Sequence, residues 1–147
     1  MKYFVMITLF WFITIVVSFF GGVKFATPYT PVEVITPPTG QEVLAELNTY
    51  RLSQGLEPFE LSDRLCDNIV ERWHNYKNNN SHEGWDEFAA REYPGGFTAN
   101  ELLVAGESAK IMVDQWVSSP SHDLAIKSNS KACVYSYDGL SVALLSN

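Results

Sequence analysis

The 147-residue chain is poor in the residues that build metal and nucleic-acid sites. It holds two cysteines and three histidines, with no CxxC pair and no second clustered ligand set, which disfavours a structural zinc site. Its 10 basic side chains are outnumbered by 17 acidic ones, a net charge of −7. That balance lacks the electrostatic footprint of a nucleic-acid binder, so no nucleic acid is expected as a partner. No internal repeat is present. Charged residues make up only 18% of the chain, but apolar residues reach 46%, so the composition is globular rather than disordered. The length suits one domain and is short for two.

What charge there is falls unevenly. Residues 1–40 carry Lys2, Lys24 and Glu33, a net of +1, whereas residues 41–147 carry 8 basic and 16 acidic side chains, a net of −8. Tyr3 to Val23 holds no charged residue at all. A run of this length fits a transmembrane helix, which needs about 20 apolar residues. A cleaved signal peptide is the competing reading, but its best cleavage point, after Ala26, has Lys24 at the −3 position. Residues 1–26 therefore read as a membrane anchor or signal sequence, and residues 3–23 as the contact with the membrane. Positive charge at the N-terminus predicts that this end stays in the cytoplasm and that everything after Lys24 lies outside. The protein is then membrane-anchored with an extracytoplasmic C-terminal domain, or secreted if the N-terminus is cleaved. Residues 27–40 hold four of the seven prolines. They predict a semi-rigid linker that spans on the order of 40 Å at about 3.1 Å per residue.

Residues 41–147 read as helices first and strands last. Thr39 and Glu42 have the spacing of a capping box before Val43, Leu44, Leu47 and Tyr50. Ser62 can cap a second helix, with Leu65, Cys66, Ile69, Val70, Trp73 and Tyr76 forming its apolar stripe. Glu83–Arg91 suggests a short helix and Gly106–Ser118 a longer one that Pro120 stops, with one more turn capped by Ser121. Lys131–Tyr137 and Leu140–Leu145 are β-rich and flank Asp138-Gly139, a hairpin signal. This order predicts an α+β fold with an antiparallel sheet and a C-terminal hairpin. Outside the cytoplasm, Cys66 and Cys133 can form one disulfide, closing a loop that contributes about 4 kcal/mol; two buried free thiols are the alternative.

Several ordered motifs carry more information. They are Leu47-Asn48-x-x-Arg51-x-x-x-Gly55-Leu56-x-Pro58-Phe59, Ser81-His82-x-Gly84, Asn100-Glu101-Leu102 and Trp116-x-x-Ser119-Pro120-x-His122-x-x-x-Ile126. Together they resemble the CAP superfamily, the SCP-like domain of cysteine-rich secretory, antigen 5 and pathogenesis-related proteins, in its bacterial form. The resemblance covers residues 41–147. It implies an α-β-α sandwich, an extracytoplasmic location, no cofactor by itself, and a cleft floored by a His and a Glu. The matching positions are His82 and Glu101. Three family features depart. The Gly and Asn that flank the family's Glu are Asn100 and Leu102 here. Ser119 stands where the eukaryotic branch has a second Glu, and nothing after His122 supplies its second His. The cleft is thus reduced to His82 and Glu101, with no metal assigned. Under the sandwich reading, Cys66 and Cys133 point into one core and should pair.

Each residue also has a bland reading. Glu101 enters the apolar run Leu102-Leu103-Val104, where a carboxylate needs a partner, and His82 is the natural one. A purely structural link would look the same. Ser119 and His122 sit close in sequence, but neither an orienting acid nor an oxyanion hole accompanies them, so a catalytic pair is not expected. They are read as a helix-ending turn that braces the fold or lines the cleft, and His122 is expected nearer the cleft than His74. Trp73 and Trp116 read as core, and Trp85 as a candidate cleft wall. The leading expectation is a membrane-tethered binding module whose cleft of His82, Glu101, Ser119 and His122 takes a small amphipathic, lipid or cell-envelope ligand. A hydrolase using His82 and Glu101 is one alternative. A structural or adhesive envelope domain with a vestigial cleft is the other. Enzymatic activity is not the favoured reading.

Overall fold

The computed structural model describes residues 36–147. The expected anchor over residues 1–26 and the linker up to residue 35 lie outside the described residues. Among the described residues, no helix is long and apolar enough to cross a membrane.

The end of the linker is already part of the domain. Pro38 is buried, and Thr39 caps helix α1 (Gly40–Ser53) through the expected capping box. The Glu42 amide donates to Thr39 Oγ1 at 3.3 Å, and the Thr39 amide donates to Glu42 Oε2 at 2.7 Å. The Thr39 amide and, secondarily, the Thr39 hydroxyl, which donates to the same oxygen at 2.9 Å, hold the Glu42 carboxyl below its ordinary range. Strand β1 (Glu60–Leu61) follows, and then helix α2 (Asp63–Cys66), capped by Ser62. The single second helix expected from the apolar stripe is broken at this point. Asn68 leaves helical geometry and gives its side chain to Glu92, donating from Nδ2 to Oε2 at 2.6 Å. Helix α3 (Ile69–Asn79) resumes the stripe, and α4 (Trp85–Glu92) is the short helix expected near Glu83–Arg91.

Strand β2 (Ala99–Ala105) has no counterpart in the sequence reading. Its segment Leu102-Leu103-Val104 does not alternate, because helices cover both faces of the sheet. Helices α5 (Ala109–Ser118) and α6 (Pro120–Ser128) come next, followed by the hairpin β3 (Lys131–Tyr137) and β4 (Leu140–Ser146). The hairpin turns at Asp138-Gly139, both with positive φ, at 54° and 74°.

The strand order is β1-β3-β4-β2. The β3–β4 and β4–β2 pairs are antiparallel, but β1 runs parallel to β3. The sheet is therefore mixed rather than antiparallel throughout. Only two residues make the parallel pair, a length too short to leave a pattern in the sequence. One face packs on Val43, Leu47, Met112, Trp116 and Ile126 from α1, α5 and α6. The other packs on Leu65, Ile69, Trp73 and Phe88 from α2, α3 and α4. The sheet thus lies between two helical layers. The second face carries the disulfide between Cys66 and Cys133, whose Cα atoms are 5.3 Å apart.

Candidate binding site

Glu101 lies on β2, with its side chain on the α3 face of the sheet beside that of Leu103. Its side chain is 1% exposed, so an ionised carboxylate there depends on protein partners. Arg72 supplies the first. It sits on α3 in line with Ile69, Trp73 and Tyr76 and is 0% exposed. Its Nε donates to Glu101 Oε2 at 2.5 Å and its Nη2 to Oε1 at 2.9 Å, the fork geometry that suits a carboxylate. The same guanidinium packs near Trp85 and Phe88, 5.7 and 5.4 Å from their ring centroids.

His82 supplies the second partner. Its Nδ1 is 2.9 Å from Glu101 Oε1, and its side chain is 51% exposed. The loop that carries it is fixed by local bonds. The Trp85 amide donates to the His82 carbonyl at 3.0 Å, and Gly84 takes a positive φ of 73° that a side chain would strain. Arg72 Nη1 donates to the Glu83 carbonyl at 3.2 Å. Arg72 therefore touches both the carboxylate and the backbone next to the imidazole.

His122, near the start of α6, brings its ring to 6.3 Å from that of His82, centroid to centroid. It is half-buried. Burial, and secondarily the nearby His82, push its pKa below the ordinary histidine value. Ser119 ends α5 and begins α6, and its Oγ lies 3.2 Å from Ser121 Oγ; no hydrogen bond ties it to His82, Glu101 or His122 among the described residues. Trp85 stacks on Phe88 above Arg72, half-buried beside the site. His74 lies on the exposed side of α3 against Trp73. Two depressions of about 290 and 250 Å³ sit at the β3–β4 turn, lined by Pro37 with Tyr137 and Asp138 or with Gly106 and Glu107; neither includes His82 or Glu101.

The sequence reading missed Arg72. A signal was there, since Arg72 falls three residues after Ile69 and four before Tyr76, inside the apolar stripe. A basic residue in a buried stripe asks for a buried acid.

Among known families, the model of the cysteine-rich secretory protein family, CAP, matches residues 44–138. The chain belongs to this family. Solved CAP-type structures share its fold. An extracellular protein containing an SCP domain from Bacillus anthracis aligns with a TM-score of 0.60 at 20% identity, over 73% of this chain and 39% of that one. A cysteine-rich secretory protein from Staphylococcus aureus aligns with a TM-score of 0.63 at 10% identity, over 73% and 37% of the two chains. An outer surface protein from Borrelia burgdorferi aligns with a TM-score of 0.60 at 22% identity, over 73% of this chain and 90% of that one. The CAP chain thus spans under two fifths of the first two proteins and most of the third. A comparison with curated protein sequences returns no match.

Proposed function

We propose that this CAP chain is an extracytoplasmic binding module, held at a membrane by residues 3–23, whose His82–Glu101 site takes a small amphipathic or cell-envelope ligand. The carrying observation is the two-bond Arg72 fork on the carboxylate that faces His82. Glu101 is matched by Arg72, so its hydrogen bond orients His82 without requiring an imidazolium. That leaves a half-exposed imidazole edge beside a second histidine and an aromatic wall, an arrangement suited to gripping a ligand's polar end. The same bonds weaken the hydrolase reading, because Glu101 is 1% exposed and both its oxygens are already bonded to Arg72, which keeps them from a substrate's proton. The location draws support from the family and from the extracellular and outer-surface descriptions of its structural neighbours.

Two experiments test this reading. Lysophosphatidylglycerol below its aggregation concentration, added to the full chain in a non-lipid detergent, should bind saturably by calorimetry. His82→Ala should weaken that binding about tenfold, the equivalent of about 1.4 kcal/mol. Equal affinity for both proteins would move the ligand elsewhere, and no binding of this lipid or of soluble peptidoglycan fragments would favour the structural envelope domain. Protease added to intact cells should degrade residues 27–147 while the mature N-terminus remains Met1 or Lys2. An N-terminus near Thr27 would replace the anchor with a cleaved signal.

A further inference from the structure

We infer that Arg72 is a positioning residue that fixes His82 in its Nδ1–H tautomer, leaving Nε2 as the atom the site offers to a ligand. This deepens the binding reading above and rests on it for its functional meaning. Three observations carry it. First, the Arg72 fork engages both oxygens of Glu101, so the carboxylate plane cannot turn without breaking a bond to a guanidinium that is itself 0% exposed. Second, Arg72 Nη1 donates to the carbonyl of Glu83, the residue after His82. One rigid planar group therefore sets both ends of the His82–Glu101 contact. Third, Glu101 Oε1 already receives Arg72 Nη2 and still faces His82 Nδ1 at 2.9 Å. A carboxylate oxygen paired with arginine can only accept, so Nδ1 must carry the proton.

The consequence concerns ligand chemistry. With Nδ1 committed, the neutral ring presents Nε2 as an acceptor. Nε2 makes no hydrogen bond among the described residues. The ligand atom that meets it must then be a donor, such as a hydroxyl, rather than a carboxylate or phosphate oxygen. The proton sits on Nδ1 without Glu101 changing its own state, and Arg72 acts only through Glu101 and the loop.

The chain has only three histidines, so ring nitrogens can be resolved one residue at a time. The full chain, labelled with ¹⁵N-histidine in detergent micelles, would be read by long-range ¹H–¹⁵N spectra at alkaline pH, with signals assigned through His74→Gln and His122→Gln. The wild type should show His82 as a single Nδ1–H tautomer. Arg72→Lys keeps the charge but loses the fork and its fixed reach to Glu83. It should show averaged His82 nitrogen signals, both tautomers populated. Should Arg72→Lys fail to fold, Arg72→Met/Glu101→Gln removes the buried charges together and leaves an amide that can face His82 with either end; it too should show both tautomers. A wild-type His82 protonated on Nε2 overturns the inference. So does a folded variant of either kind that keeps a single Nδ1–H tautomer, because Arg72 would then be only a structural ion. The spectra need no ligand. The expected tautomer pattern supports the role of Arg72 even where lysophosphatidylglycerol fails to bind, and that failure counts against the binding reading alone.

Discussion

Arg51 lies under α1 on one face of the sheet and Arg72 under α3 on the other, 4% and 0% exposed. The two are satisfied by different chemistry. Arg51 donates from Nε to the Glu57 carbonyl at 2.7 Å and from Nη1 to the carbonyls of Ile126 and, at 2.6 Å, Asn129. Its guanidinium also lies 4.0 Å from the Phe59 ring centroid. These partners bring dipoles and a π-face but no formal charge, and burial pulls the Arg51 pKa down. Arg51 is therefore a staple joining three chain segments. Arg72 is neutralised by Glu101, and Glu101 passes the contact on to a half-exposed His82. A buried arginine alone marks a fold requirement. One whose carboxylate partner also reaches a solvent-facing imidazole ties the core to the surface.

The sharpest way to break this comparison is to remove each arginine. Arg51→Met and Arg72→Met should each cost roughly 3–5 kcal/mol in denaturant unfolding, the first by orphaning three carbonyls and the second by stranding a buried carboxylate. Their rescues should differ. Arg72→Met/Glu101→Leu should recover most of the loss, because replacing a buried pair by apolar groups is often neutral or better. No side-chain replacement can rescue Arg51, since its acceptors are main-chain oxygens. If the double variant stays as unstable as Arg72→Met, then Arg72 is held by packing and the contrast between the faces is lost.

The two faces also differed in how much could be read beforehand. Helix α1 was legible because its signals are local, with Thr39 and Glu42 three residues apart and Val43 and Leu47 four. The hairpin was legible from Asp138-Gly139. The His82–Glu101 contact spans 19 residues and came only through the family motifs. Strand β2 was illegible because a strand covered on both faces loses its alternation. The break at Asn68 was illegible because it depends on Glu92, 24 residues away. Arg72 was readable in its stripe, but only by asking what a buried cation requires.

The disulfide tests the α3 face from its other end. Cys66→Ser or Cys133→Ser should lower unfolding stability by about 2–5 kcal/mol, and reduction of the wild type should do the same. Because Cys133 is on β3 and Glu101 on β2, the loss should appear as global unfolding with the His82 signals disappearing in step; His82 signals that vanish first would show that the site unfolds separately. On the α1 face, a smaller loss is expected at Gly40. A Cβ there would stand 2.3 Å from the Val134 carbonyl oxygen, a contact backbone cannot absorb without moving. Gly40→Ala should cost about 1–3 kcal/mol despite alanine's better helix propensity. A neutral or stabilising outcome would mean that α1 can slide away from β3.

The smallest expected effect separates His122 from His82. His122 is held below its ordinary pKa, first by burial and then by His82, whereas in the unfolded chain it titrates near 6.5. Between those two values the unfolded state binds more protons than the folded one. Unfolding stability must therefore rise with pH across that window, reaching its full value above 6.5 and falling as pH drops through 6.5 toward the folded-state value. Asp123, next in the chain, shifts the same way through a different cause: Lys127 and Tyr50 lower its pKa from 3.8, so its contribution is lost only in a more acidic range. Urea unfolding measured at intervals from about pH 7.5 to about 5.5 isolates the histidine step, since carboxylates titrate below that range. The wild type should lose stability over this interval and His122→Gln should lose less. His82→Gln should fall between them, because it removes the lesser cause of the His122 shift and leaves the burial. If His122→Gln follows the wild-type curve, the acid-side loss belongs to another group, and the proximity of the two rings has no electrostatic consequence.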